Sequence, residues 1–375
     1  MRSFRKTIHF LLCFCLILGM VFSLYRTPVK AVTSGDVEGT AFTYGSRTGD
    51  KVVLRWEAAT GADGYQIRMS SDPKFREFKN RYIKSSDKLA TKYSGVTEKG
   101  KIFYKIRAYR FGDDGKKVFS KWNGKLCIAP FDSSYEFAGN SKINSGYVTI
   151  FYASGPAKKN KTVCVNAGHG TQGGTSKSTL CHPDGTAKVT GGTTAAGSTY
   201  ATAVSSGTTL NDGTSEASAN LKLALALKDE LLNNGYNVLM IRQREDVQLD
   251  NVARTVMANN LADCHIALHY DSTTTDKGAF FISVPNVSSY RSMYPVSEHY
   301  KEHDRLGEAL VEGMKAAGVK IYGSGSMAID LTQSSYSTIP SVDLEVGDRG
   351  SDHSESTHRK IAEGIVAGVN EFFGL

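Results

Sequence analysis

Lys161-Thr162-Val163-Cys164-Val165-Asn166-Ala167-Gly168-His169-Gly170 is the stretch on which the fold turns. Thr162 to Asn166 reads as a short apolar strand. The glycines on either side of His169 let the backbone turn sharply and approach closely whatever sits there. Downstream, strand and helix patterns alternate. Glu216 to Asn234 is helical, with Leu221, Ala224, Leu227 and Leu231 recurring at helical spacing and Gly235 as the stop. Asn237 to Arg242 reads as a strand, Leu249 to Asn260 as a helix, Cys264 to His269 as a buried strand and Phe280 to Val284 as another. A helix over His299 to Ala317, a strand over Ser341 to Leu344 and a closing helix over Ser356 to Phe373 complete the pattern. The class predicted for 161–375 is therefore α/β, a mixed, mostly parallel sheet flanked by helices. Residues 170–215 break the pattern: they are rich in Gly, Thr and Ser and have no period. Such a stretch is either a loop serving a site or a passive surface excursion.

Upstream, 37–130 reads as all-β. Val52 to Trp56, Gly64 to Met69 and Ile102 to Tyr109 are strands, the last two alternating in character, and Gly112-Asp113-Asp114-Gly115 is a turn signal. Short strands at this spacing predict a β-sandwich. Leu54-Arg55-Trp56, Gly61 to Ile67, Tyr104 to Tyr109 and Ser120-Lys121-Trp122 together resemble a fibronectin type III module. The resemblance implies a spacer or a weak binding unit, with Trp56, Tyr65 and Trp122 as core aromatics. Residues 131–160 read as a last strand plus a linker.

The first 31 residues read as a signal peptide. Arg2, Arg5 and Lys6 precede an apolar run from Ile8 to Leu24, and Val29-Lys30-Ala31 offers small residues for cleavage. An uncleaved anchor is the alternative, and the only route by which a membrane would enter. Either way the rest of the chain is expected outside the cytoplasm, secreted and associated with the cell wall. Without the five cations of that segment the formal charge of +8 falls to +3. The basic balance then gives little reason to expect a nucleic-acid partner. Beyond the leader lie Cys127, Cys164, Cys181 and Cys264, with no C-x-x-C pair to suggest a zinc ribbon. Cys164 and Cys264 read as buried thiols, and Cys181 is open to a disulfide. Nothing in the sequence sets an oligomeric state.

Two histidines end strands, His169 and His269, and Glu216 heads a helix. Taken singly, each has a bland reading as a satisfied polar or capping residue. Together they can meet at one edge of a parallel sheet. Two imidazoles and a carboxylate make a common catalytic zinc set that leaves a fourth position open. Around them the chain resembles the zinc-dependent N-acetylmuramoyl-L-alanine amidases of the bacterial cell wall. The resemblance rests on Gly168-His169-Gly170, on Glu216 with Asn220, and on Gly235-Tyr236-Asn237-Val238 with Arg242. It continues through Arg254, Ala258-Asn259, Ala262-Asp263 and His269 to Pro340 and Glu345, over nearly all of 161–375. It implies zinc held by His169, Glu216 and His269, Glu345 as the catalytic carboxylate, and peptidoglycan as substrate. The bond cut would join N-acetylmuramic acid to L-alanine. Asp271 stands where the family usually has Asn, and Val346-Gly347-Asp348-Arg349 replaces the usual apolar residues after the catalytic Glu. Asp343, Asp348 and His353 are rival acid–base residues, and Cys181-His182 a conceivable extra metal pair. A zinc peptidase acting on another wall amide and a non-catalytic wall-binding protein are the competing functions.

Overall fold

A computed structural model describes residues 37–375; the expected signal peptide, with Cys13 and Cys15, lies outside them. The first part holds β1 (Phe42–Thr48), β2 (Lys51–Trp56), β3 (Gly64–Ser70), β4 (Lys79–Ile83), β5 (Ala90–Tyr93), β6 (Ile102–Phe111), β7 (Lys117–Phe119) and β8 (Gly124–Pro130). A small sheet, β1-β2-β5, packs on a larger one that runs β4-β3-β6-β8. Alternation in the sequence decides which side chains meet between them. Leu54, Trp56, Tyr65, Ile67, Tyr104 and Ile106 point inward, and the Trp56 and Tyr65 rings touch edge to face at 5.5 Å. Trp122, expected in the core, is instead half-buried on the outer face of the larger sheet, beneath Arg68, Lys105 and Arg107.

The second part follows as β9 (Tyr147–Tyr152), β10 (Thr162–Ala167), β11 (Ser178–Leu180), β12 (Tyr200–Thr202), α1 (Glu216–Asn233), β13 (Asn237–Met240), α2 (Asn251–Leu261) and β14 (Cys264–Asp271). Then come β15 (Ala279–Ser283), α3 (Ser288–Arg291), α4 (Val296–Ala316), β16 (Ile321–Ala328), α5 (Thr332–Tyr336), β17 (Ser341–Asp348) and α6 (Glu355–Phe373). Its sheet runs β16-β15-β17-β14-β10-β13, and only the β15–β17 pair in that run is antiparallel. The α/β architecture expected for this part, mostly parallel and flanked by helices, is the one found. The helix expected from Leu249 starts at Asn251, because the Asp250 carboxylate caps it by accepting from the Ala253 amide at 2.8 Å.

Residues 131–160, expected as a last strand and a linker, supply β9. It pairs antiparallel with β8 on one side and with β13 on the other, so the two parts share one continuous sheet. The apolar core is equally continuous and runs from Phe42 to Phe372. On one face of the C-terminal strands, α1, α4 and α6 cover Val163, Val165, Ile266, Leu268, Val342 and Leu344. On the other face, α2 covers Cys164 and Leu239 through Ala253 and Met257. That second face, beyond α2, is left for the site. The four described cysteines are buried and unpaired, so Cys181 forms no disulfide. Among the described residues no helix is long and apolar enough to cross a membrane.

Candidate metal centre

His169 lies just past the end of β10, His269 near the end of β14, and Glu216 is the first residue of α1. β10 and β14 are parallel neighbours, so their C-terminal ends deliver both histidines to one place. His169 Nε2 lies 2.8 Å from Glu216 Oε1, and His269 Nδ1 lies 3.0 Å from the same oxygen. The two ring nitrogens are 3.1 Å apart. This packing needs close backbone. A Cβ on Gly168 would sit 2.2 Å from the His269 ring, and one on Gly207 would sit 2.7 Å from His169 and 2.8 Å from Glu216. His169 itself has φ 62, a left-handed conformation that a non-glycine residue adopts only when its surroundings hold it there.

The holding is done by two buried arginines. Arg242 donates to the carbonyls of Ala167, Gly168 and Ala217 at 2.9, 2.8 and 2.6 Å. Arg254 donates to Asn166 Oδ1 and the Ala167 carbonyl, both at 3.2 Å, to the His169 carbonyl at 2.5 Å and to Thr171 Oγ1 at 2.8 Å. Two guanidiniums thus fix every carbonyl from Ala167 to His169. Both arginines belong to the sequence pattern, but most of their partners are backbone oxygens and leave no trace in it. Arg254→Leu is expected to destabilise the chain by about 3 kcal/mol, since carbonyls left buried without a donor cost about 1–3 kcal/mol each. Urea unfolding measures this, and a loss well under 1 kcal/mol would show that the loop holds itself.

The donor set fits a cation. His169 Nδ1 faces the Ser205 carbonyl at 2.9 Å, which accepts only, so that nitrogen carries the proton and Nε2 turns a lone pair inward. The outer nitrogen of His269 lies 3.6 Å from Asp343 Oδ2, within ion-pair range. The Glu216 carboxylate receives the amides of Thr208 at 2.8 Å and Tyr270 at 3.2 Å, and Asn220 Nδ2 at 3.3 Å. Burial alone would raise the Glu216 pKa, but the close contacts with His169 and His269 outweigh it and hold the carboxyl far below its usual range. Burial would likewise lower His269, yet Asp343, Glu216 and Glu345 push it up to about 10. Three inward-facing donor atoms on His169, Glu216 and His269 make a cluster able to grip a divalent metal.

Glu345 and Asp343 stand on β17 in register with His269 and Ala267. Their neighbours Val342, Leu344 and Val346 face the helices, so both carboxylates share the face of the metal cluster. Each is half-buried, with one buried oxygen unpartnered, Oε2 of Glu345 and Oδ1 of Asp343. Burial drives the Glu345 pKa well above the usual range, with Asp343 adding to the rise and His269 opposing it. The other rivals point elsewhere. Asp348 accepts the amides of Lys277 and Gly278, and His353 pairs with exposed Asp212 at 3.1 Å. Asp271 accepts from Thr273 and is ion-paired with Lys277.

A cavity of about 660 Å³ opens in front of these groups, within the usual range for small-molecule sites. Phe280, Ile282, Met327, Ile329 and Leu331 form an apolar wall. Residues 192–194, 201–202 and 204–208 of the irregular stretch line it as well, so that stretch serves the site. Its middle is tied to Asp330, whose carboxylate takes the Val189 amide at 2.6 Å, Lys188 Nζ at 3.0 Å and His182 Nε2 at 3.1 Å. His182 Nδ1 meets Thr186 at 3.0 Å. His182 is thus engaged in the strap and forms no metal pair with Cys181.

A metal-type hydrolase site at the ends of parallel strands is the class that fold and geometry define. Residues 163–371 match the family described as N-acetylmuramoyl-L-alanine amidase, and the chain belongs to that family, whose members hydrolyse the peptidoglycan amide bond. Solved structures similar to this chain include an N-acetylmuramyl-L-alanine amidase of Mycobacterium smegmatis. It shares 20% identity with a TM-score of 0.47, over 57% of this chain and 97% of that one. The apo enzyme of Mycobacterium abscessus shares 17% identity with a TM-score of 0.46, over 57% and 99%. The catalytic domain of an amidase from Bacillus (Paenibacillus) polymyxa shares 18% with a TM-score of 0.40, over 57% and 98%. No curated protein matches the chain's sequence.

Proposed function

We propose that this chain hydrolyses the amide between the lactyl group of N-acetylmuramic acid and L-alanine in peptidoglycan, with zinc held by His169, Glu216 and His269. The observation that carries the proposal is the convergence of His169 Nε2, His269 Nδ1 and Glu216 Oε1 beside the unpartnered carboxylate of Glu345. Zinc bound there supplies Lewis-acid polarisation of the scissile carbonyl and acidifies the attacking water. Glu345 takes the water proton and returns it to the departing amine of L-alanine. Asp343 orients the His269 ring through its outer nitrogen. The apolar wall excludes water from the lactyl side, and residues of the 192–208 segment form another side of the cavity. The chain acts at the cell wall outside the cytoplasm, and 37–130 is a fibronectin type III-like module ahead of a catalytic domain at 161–375.

The test digests purified peptidoglycan with the whole chain and zinc, followed by mass spectrometry of the products. Peptides beginning with free L-alanine and glycans ending in a lactyl carboxylate are expected, both abolished by a chelator. Scission between amino acids, with the lactyl amide intact, would favour the peptidase; no released product would leave a wall-binding protein. Asp343→Asn is expected to weaken zinc binding by about tenfold or more, as loss of such orienting groups does. Competition against a chromogenic chelator measures it, and an unchanged affinity would remove Asp343 from that role.

A further inference from the structure

The outer face of the β4-β3-β6-β8 sheet carries a row of like charges. Arg68 on β3 lies directly opposite Lys105 on β6, and Lys105 lies directly opposite Lys125 on β8. Arg107 stands two residues further along β6, on the same face. Like charges facing each other across strands destabilise a sheet. Here no carboxylate relieves them: among the described residues none of the four forms a salt bridge. Burial lowers the Lys105 pKa, and Arg68, Arg107 and Lys125 lower it further.

Aromatic rings steady the cations, beside Asn80 and Gln66, whose amide oxygens accept from Arg68 Nε at 3.1 Å and Arg107 Nε at 2.7 Å. Arg68 lies 3.5 Å from the Phe78 ring centre and Arg107 3.7 Å from that of Phe119. Trp122 sits under Arg68, Lys105 and Arg107 at 4.9, 4.8 and 4.4 Å. Lys125 lies over Tyr152 at 4.6 Å. The rings attract the charges without neutralising them. They also set each cation in place, so less side-chain freedom is lost when an anion arrives.

We propose that this face binds a phosphodiester-linked polyanion with a polyol backbone, a wall polymer, along the Arg68–Lys105–Lys125 row. The location rests on the reading that the chain works outside the cytoplasm. Neighbouring strands are about 4.8 Å apart, so the row presents cations at regular intervals across three strands. A repeating anion matches that array better than a single phosphate does. Arginine adds two parallel donors to each phosphate it meets. Single-stranded nucleic acid is the poorer match, because its bases need free aromatic faces, and those of Phe78, Phe119 and Trp122 are already covered by cations.

The experiment measures binding of the whole chain to poly(glycerol phosphate) at several salt concentrations, with a thymidine oligomer of equal charge as comparison. Binding that weakens with salt and is tighter for poly(glycerol phosphate) is expected. The triple variant Arg68→Gln, Lys105→Gln, Lys125→Gln should bind at least about tenfold more weakly, with a shallower salt dependence. Lys105→Arg with Lys125→Arg should keep the affinity. Hydrolysis of a small soluble muropeptide by both variants reports intact folding and separates this proposal from the amidase reading. Equal binding by the triple variant would overturn the proposal, as would equal or tighter binding of the oligonucleotide.

Discussion

Glu345→Gln is expected to lower turnover by about 10²–10⁴-fold, the usual worth of a positioned acid–base group, while zinc content stays near that of the unaltered chain. The amide has the shape of the carboxylate it replaces but cannot take a proton from water. The substitution also removes a half-buried ionisable group whose buried Oε2 is unpartnered, so folding stability should not fall. Metal content separates this account from a structural one. Glu345 is absent from the group of side chains whose donor atoms converge, so its loss should leave zinc in place. Full activity would transfer the proton work elsewhere, with Asp343 first in line because it shares the face of β17. Loss of zinc together with activity would make Glu345 a ligand.

His269→Ala should have the larger effect. It removes one of three donors and leaves His169 Nε2 and Glu216 Oε1 to hold the cation alone. Zinc should fall to background on dialysis, and turnover by about 10³-fold or more, because the metal supplies several kcal/mol of transition-state stabilisation at about 1.4 kcal/mol per tenfold. Added zinc should restore little. Activity and metal measured together decide the matter: zinc retained at one per chain with activity gone would move His269 from metal ligand to substrate contact. The space left by the missing ring lies against Gly168, whose carbonyl is clamped by Arg242, and beside His169, Glu216 and Asp343.

Much of this was legible in the sequence, for identifiable reasons. Periodicity revealed α1 through Ala224, Leu227 and Leu231, which bury one stripe together with Leu223 rather than the expected Leu221, and it revealed β10 and β14, because buried parallel strands read as apolar runs. That His169 and His269 stand at strand ends was readable. Their meeting depends on β10 and β14 being neighbours, which no local pattern states. The strand expected within 131–160 is β9, but its place between β8 and β13 escaped, because those partners are far apart in the chain. β16 was missed: Gly323 and Gly325 interrupt its pattern. Trp122 reads as core by residue type, whereas its place is decided by three cations on neighbouring strands.

The β8–β9–β13 seam has a consequence for how this molecule can be dissected. A fragment starting at Lys161 would lose the partner of β13, leaving the amides and carbonyls of Val238 and Met240 unanswered along one side. It would also strip Val148 and Ile150 from the apolar layer beneath α2. An open strand flanked by greasy surface recruits other chains, so that fragment should clump where the intact chain stays dispersed. The front half is therefore no interchangeable bead on a string; whatever inherits the hydrolase inherits its seam as well.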